Sequence, residues 1–144
     1  MTSLYLQSVQ LEQHNHRLQA KYKKIAENET LCELIDCDDA DYLFVSYGSS
    51  ARICQKAIEL ARKDGIKVGL IRPITLFPFP EKVIAGFKDK VKGILSVELN
   101  AGQMINDVKL AVECKVPVEH YGRYGGMIHS PEEVYEGLKE KFSL

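Results

Sequence analysis

Residues Tyr42–Ile71 read YLFVSYGSSARICQKAIELARKDGIKVGLI, and this stretch decides the fold class. Tyr42 to Ser46 is a nearly continuous apolar run, as expected of a strand covered on both faces. Gly48-Ser49-Ser50 interrupts it. Cys54, Ala57, Ile58 and Ala61 then recur at i, i+3, i+4 and i+7, one face of a helix. Gly65 follows Lys63 and Asp64 as a helix stop, and Ile66 to Ile71 begins a second strand. A strand, a helix and a strand within thirty residues make a right-handed crossover unit of a parallel sheet.

The pattern continues on both sides. Arg72-Pro73 and Phe77-Pro78-Phe79-Pro80 form a long loop stiffened by proline. Glu81 opens a short helix with Val83, Ile84 and Phe87. Gly93 to Val97 is a strand, and Met104, Val108, Ala111 and Val112 mark a helix. Val116 to His120, with Pro117 inside it, reads as a strand near an edge. A glycine-rich loop, Tyr121 to His129, follows. Ser130 as N-cap and Pro131 at the first helical position start a last helix with Val134, Leu138 and Phe142 on its inner face. Upstream, Leu31 to Ile35 is a short strand that arrives without a crossover, so an antiparallel placement is expected. Asp38, Asp39 and Asp41 form an acidic turn behind it. The expected core is thus a mostly parallel five-stranded sheet between helices, over residues 30–144.

Residues 1–29 differ in character. They are polar and contain no Gly or Pro. Leu4, Leu11, Leu18 and Ile25 repeat every seven residues, which predicts one long helix with a narrow apolar stripe. His14 and Asn15 stand where a coiled coil wants leucine, so the helix is expected to lie across another surface.

The chain has 144 residues, 45% hydrophobic and 27% charged, enough for one domain with a single core. Its 19 basic and 20 acidic residues leave a net charge of -1. There is no basic excess with which to displace phosphate counterions, so nucleic acid is not an expected partner. No apolar stretch is long enough for a spanning helix, and the start lacks the pattern of a secretory signal. Cys32, Cys37, Cys54 and Cys114 form no C-x-x-C pair, which suggests a reduced, cytoplasmic protein. Neither these cysteines nor His14-x-His16 has the spacing of a metal or cluster site.

Candidate chemistry belongs at the carboxyl ends of the parallel strands, where open α/β sheets bind ligands. Three loops there hold unusual residues. Gly48, Ser49, Ser50 and Arg52 open a helix whose N-terminus can receive an anion, or form only a tight turn with a serine N-cap. There is no dinucleotide or P-loop signature. Glu98, Asn100, Gly102 and Gln103 offer a general base, or a carboxylate anchoring a loop with Asn100 as a cap. Gly122 and Arg123 open a flexible segment. Arg123 can bind a carboxylate or phosphate in bidentate fashion, or can pair with Glu98 or the chain ends. Glu98 and Arg123 are expected on one edge of the sheet.

Four blocks, Leu43–Arg52 (LFVSYGSSAR), Lys67–Pro80 (KVGLIRPITLFPFP), Ser96–Gln103 (SVELNAGQ) and Tyr121-Gly-Arg123, occur in the order and spacing of a known family. The chain resembles the C-terminal part of the alpha subunit of 2-oxoacid:ferredoxin oxidoreductases, most closely the 2-ketoisovalerate branch. The resemblance runs from about Thr30 to Phe142, and residues 1–29 are similar to that family's interdomain connector. It implies a three-layer α/β/α, transketolase C-terminal-like fold with the first strand antiparallel. It also implies that the chain is one part of a larger subunit, with Arg72 of the second block at a ligand or interface loop.

The implied holoenzyme converts a 2-oxoacid, coenzyme A and oxidised ferredoxin to acyl-CoA, carbon dioxide and reduced ferredoxin. Thiamine diphosphate, Mg and the iron–sulfur clusters would lie in other domains or subunits. This chain carries no G-D-G with a downstream Asn for a magnesium diphosphate. The expected role is therefore non-catalytic: assembly with other subunits, one wall of a channel, and self-association through the N-terminal helix. The alternatives are a stand-alone flavodoxin-like anion or nucleotide-binding module, or a plain interaction domain.

Overall fold

The structure is a computed structural model describing residues 4–144. Among these residues five strands and five helices follow in the order α1 (Ser8–Asn28), β1 (Cys32–Ile35), β2 (Tyr42–Ser46), α2 (Gly48–Lys63), β3 (Val68–Pro73), α3 (Glu81–Ala85), β4 (Gly93–Glu98), α4 (Met104–Ala111), β5 (Val118–Gly122) and α5 (Pro131–Phe142). The sheet order is β1-β3-β2-β4-β5. The pairs β3/β2, β2/β4 and β4/β5 are parallel, and β1 runs antiparallel to β3 with Cys32 opposite Pro73. This is the predicted three-layer arrangement with its antiparallel first strand.

The strand period divides the core in two. Leu43 and Val45 of β2 pack with Ile84, Met104, Ile105 and Val108 under α3 and α4. Phe44, between them, turns to the other face and meets Ala51, Cys54, Ala57 and Ile58 of α2 and Val134 and Leu138 of α5. Alternate side chains of a strand point to opposite faces, so a continuous apolar run serves both layers. All four predicted apolar positions of α2 are buried. The hydroxyl of Tyr135 donates to Asp64 at 2.6 Å, joining α5 to the end of α2.

Several boundaries differ from expectation. Strand β3 starts at Val68 because the Ile66 amide closes α2, donating to the carbonyl of Ala61 at 2.9 Å. Pro117 precedes β5 rather than lying inside it. Proline has no N–H, but its carbonyl accepts from Ile94 at 2.9 Å and sets the register. Strand β5 is an edge, as predicted. Ser130 caps α5 in a reciprocal capping box with Glu133. Of the N-terminal stripe, Leu4 lies ahead of α1, which begins at Ser8, and no residue of α1 is buried. Tyr22 of α1 meets the ring of Phe77 edge-on at 6.3 Å, in the proline-rich loop.

Candidate functional site

The order β3-β2-β4 places a topological switch point between β2 and β4, since the chain leaves β2 toward β3 and returns on the other side with β4. Open α/β sheets bind ligands in the crevice at such a point. Two of the three candidate loops meet there. Gly48, Ser49 and Ser50 face Glu98, Leu99 and Asn100 across a cavity of about 100 Å³ completed by Tyr47 and Val97. Small-molecule pockets generally span about 300–1,000 Å³, and this cleft falls below that range.

Glu98 is the most heavily hydrogen-bonded side chain of the site. Period two puts Ser96 and Glu98 on the same face of β4, toward α4. The Glu98 side chain has no exposed surface. One carboxylate oxygen accepts from the amides of Gln103 at 3.1 Å and Met104 at 2.9 Å. The other accepts from the Ile105 amide at 3.1 Å and the Ser96 hydroxyl at 2.9 Å. These amides belong to the start of α4, which leave no intrahelical partner of their own. A carboxylate there meets both the orphan donors and the positive end of the helix. Burial pushes the Glu98 carboxyl upward, but the hydrogen bonds from Met104, Ser96 and Gln103 outweigh it and hold the group below the usual carboxylate range. Of its two predicted readings, general base and loop anchor, the geometry is that of the anchor.

Asn100 does not cap α4. Its Oδ1 accepts from Gly102 at 2.7 Å and from Gln103 at 3.2 Å, tightening the turn that delivers those amides to Glu98. Gln103 is itself the N-cap residue, without a side-chain cap. The serine N-cap expected for α2 is also absent. The cap is Tyr47, which makes no side-chain cap bond, and Ser49 and Ser50 lie in the first turn.

Arg123 stands on the predicted carboxyl edge, and its amide donates to the Glu98 carbonyl at 3.2 Å. Its guanidinium does not reach the Glu98 carboxylate. It pairs with Glu133 instead, because the four hydrogen bonds at Glu98 leave that carboxylate spent while Glu133 is raised on the first turn of α5. Gly122 is required by packing. A Cβ there would lie 2.4 Å from the Asn100 carbonyl oxygen and 2.4 Å from His120 Cε1. The other two candidate arginines do not join the site: Arg72 pairs with Glu33 of β1 at 2.9 Å, and Arg52 is exposed on α2.

Two histidines were missed. His120 Nε2 lies 3.9 Å from Glu98 Oε1, and His129 is 4% exposed with its ring 5.5 Å from that of Tyr121. His120 Nε2 and both ring nitrogens of His129 are buried without a hydrogen-bond partner. The signal lay in the sequence: two of the four histidines flank the glycine-rich loop.

Among the described residues, no group of three His, Cys, Asp or Glu side chains is placed to hold a metal ion, and no helix is long and apolar enough to cross a membrane. The cleft at the switch point carries one carboxylate, and α4 consumes it. The residues present therefore do not fit a magnesium-bound diphosphate.

Comparison with known proteins agrees with the geometry. The chain is 43% identical over 140 residues to ketoisovalerate oxidoreductase subunit VorB of Methanothermobacter thermautotrophicus, matching 97% of this chain and 40% of that protein. It thus spans about two-fifths of the length of that relative. In fold it is similar to a 2-oxoglutarate:ferredoxin oxidoreductase from Magnetococcus marinus, solved with 2-oxoglutarate, coenzyme A and succinyl-CoA bound. That match has a TM-score of 0.76 at 19% identity, over 96% of this chain and 24% of the other. A split-gene transketolase, an inactive beta4 tetramer, matches with a TM-score of 0.66 at 12% identity, over 79% of this chain and 42% of the other. The family model for pyruvate:ferredoxin oxidoreductase core domain II matches residues 40–134. The chain belongs to that family, and its fold is similar to that of a transketolase.

Proposed function

We propose that this chain is the C-terminal, non-catalytic domain of a cytoplasmic 2-oxoacid:ferredoxin oxidoreductase alpha subunit, acting on 2-ketoisovalerate. The relative that carries the ketoisovalerate name matches over nearly the whole chain, which supports that substrate over other 2-oxoacids. In this reading the domain holds subunits together and forms one wall of the path between them. Ferredoxin and coenzyme A are met by the assembled enzyme, whose thiamine diphosphate and clusters are held in other domains or subunits.

The observation that carries the non-catalytic reading is the state of Glu98. The one carboxylate at the switch point is buried, accepts four hydrogen bonds and is held below the usual range. A general base must be free to take a proton at a pH near its own pKa, and Glu98 is committed to the start of α4 instead. A rigid edge of this kind suits a surface against which other subunits are positioned.

The test is turnover by the purified chain with thiamine diphosphate, magnesium, coenzyme A, 2-ketoisovalerate and a viologen acceptor. No reduction above background is expected. Adding the remaining subunits should restore activity only when this domain is present. Viologen reduction by the chain alone would overturn the proposal.

A further inference from the structure

His129 is buried at the end of the exposed loop that follows Arg123, with its ring 5.5 Å from that of Tyr121. We propose that His129 is a pH-sensitive latch: buried and neutral it holds this loop down on the carboxyl edge, and protonated it releases the loop. The inference concerns a conformational device of the fold and does not depend on the function proposed above.

The loop is tied at both feet. The Arg123 amide donates to the Glu98 carbonyl at 3.2 Å, and the Arg123 guanidinium pairs with Glu133. Glu133 also accepts from the Ser130 amide at 2.8 Å at the far foot. Between the feet the chain is exposed: Tyr124, Met127 and Ile128 are more than half accessible, and Gly125 and Gly126 have φ of +69° and +85°. His129 is the one side chain of the span from Tyr124 to His129 that is buried. It packs on Tyr121, and the acceptor nearest its ring nitrogens, the Glu98 carbonyl, lies outside good hydrogen-bond geometry. A neutral imidazole tolerates that position through its apolar contact. An imidazolium does not, because a buried charge needs partners.

The surrounding charges oppose protonation. Burial acts first and Arg123 second to push the imidazole below its ordinary value, and His120 of β5 adds to them. The N-terminus of α5, one residue away, presents its positive end. Glu133 of α5 acts in the opposite sense but is engaged with Arg123 and Ser130. The Glu98 carbonyl of β4 faces the ring and favours its charged form, while already taking the Arg123 amide. The Glu98 carboxylate lies beside His120 rather than free for His129.

A histidine whose folded value is depressed gives stability that is complete above its unfolded value and is lost as pH falls through that value toward the folded one. The loop should therefore open as pH drops from about 7 to about 5. The test is hydrogen–deuterium exchange of residues 123–130 in the full chain, corrected for intrinsic rates, with NMR titration of the His129 ring. A severalfold rise in loop exchange between these pH values, beyond the change in intrinsic rates, is expected. The rise should vanish in His129→Phe, which keeps a ring on Tyr121 without a titratable nitrogen. An equal rise in His129→Phe, or a His129 ring titrating at its ordinary value in the wild-type chain, would overturn the latch. If His129→Phe does not fold, the wild-type ring titration alone decides.

Discussion

Phe44 and Leu11 are both large apolar side chains on regular elements, yet Phe44 is fully buried while Leu11 of α1 is 42% exposed. The α/β unit uses each buried strand twice over, alternate side chains feeding the cores on the two faces of the sheet. Helix α1 has 21 residues and buries none of them. The contrast separates two sources of order. The unit from β1 to α5 draws stability from its own packing, whereas a helix of this length without a buried face draws little from propensity alone. Its apolar residues Val9 and Leu11 are exposed, as are Leu31, which follows it, and Ile74, Leu76 and Phe77 of the loop it touches.

The largest effect should come from the most committed group of the α/β unit. Glu98→Ala would leave the buried amides of Met104 and Ile105 and the buried Ser96 hydroxyl without their acceptor. At about 1 kcal/mol or more each, the loss is about 3 kcal/mol, lowering Tm by roughly 10 °C. Calorimetry or thermal circular dichroism checks it, and a drop below about 3 °C would mean that α4 is capped by other means. Glu98→Gln sharpens the point through pH. The folded carboxyl lies below its usual range, so its contribution is complete above the unfolded value and is lost as pH falls through the folded one. The gap between wild type and Glu98→Gln should thus be widest near neutral pH and close below about pH 4.

Arg123→Ala is the intermediate case. Its ion pair with Glu133 is partly exposed, and such pairs contribute little. A fall in Tm of about 3 °C is expected, read by the same melting curves. A change as large as that of Glu98→Ala would show that the loop foot, not the start of α4, anchors this edge.

The smallest stability effect is expected from α1. Removing residues 1–29 should shift the melting of the remainder by less than about 2 °C, as for changes away from buried contacts. Its effect should appear instead in association. By light scattering the full chain should be larger than a monomer and the shortened chain should not. Monomers in both cases would remove self-association from the role proposed for this helix, and a large loss of Tm would erase the contrast drawn here.

Period and punctuation carried the sequence reading a long way. The alternating strands and helices, the inner face of α2, the N-cap at Ser130 and the edge position of β5 are local signals that side-chain periodicity and backbone chemistry write directly into the chain. The four sequence blocks carried the family. The chain alone also placed Glu98, Asn100, Gly102, Gln103, Gly122 and Arg123 at the carboxyl edge, because strand direction fixes which loops share an edge.

What each residue does there was a tertiary matter. That Glu98 caps α4 depends on the turn at Asn100 returning three amides to one carboxylate. That Arg123 takes Glu133 rather than Glu98 depends on which carboxylate still has an oxygen free. That His129 is buried while its loop neighbours are not depends on the ring of Tyr121, a contact between the end of β5 and the start of α5. Hydrogen-bond saturation and burial are properties of several segments at once, so no single stretch of sequence encodes them. Local pattern determined where the side chains stand, and competition among partners in three dimensions decided which of them are spent.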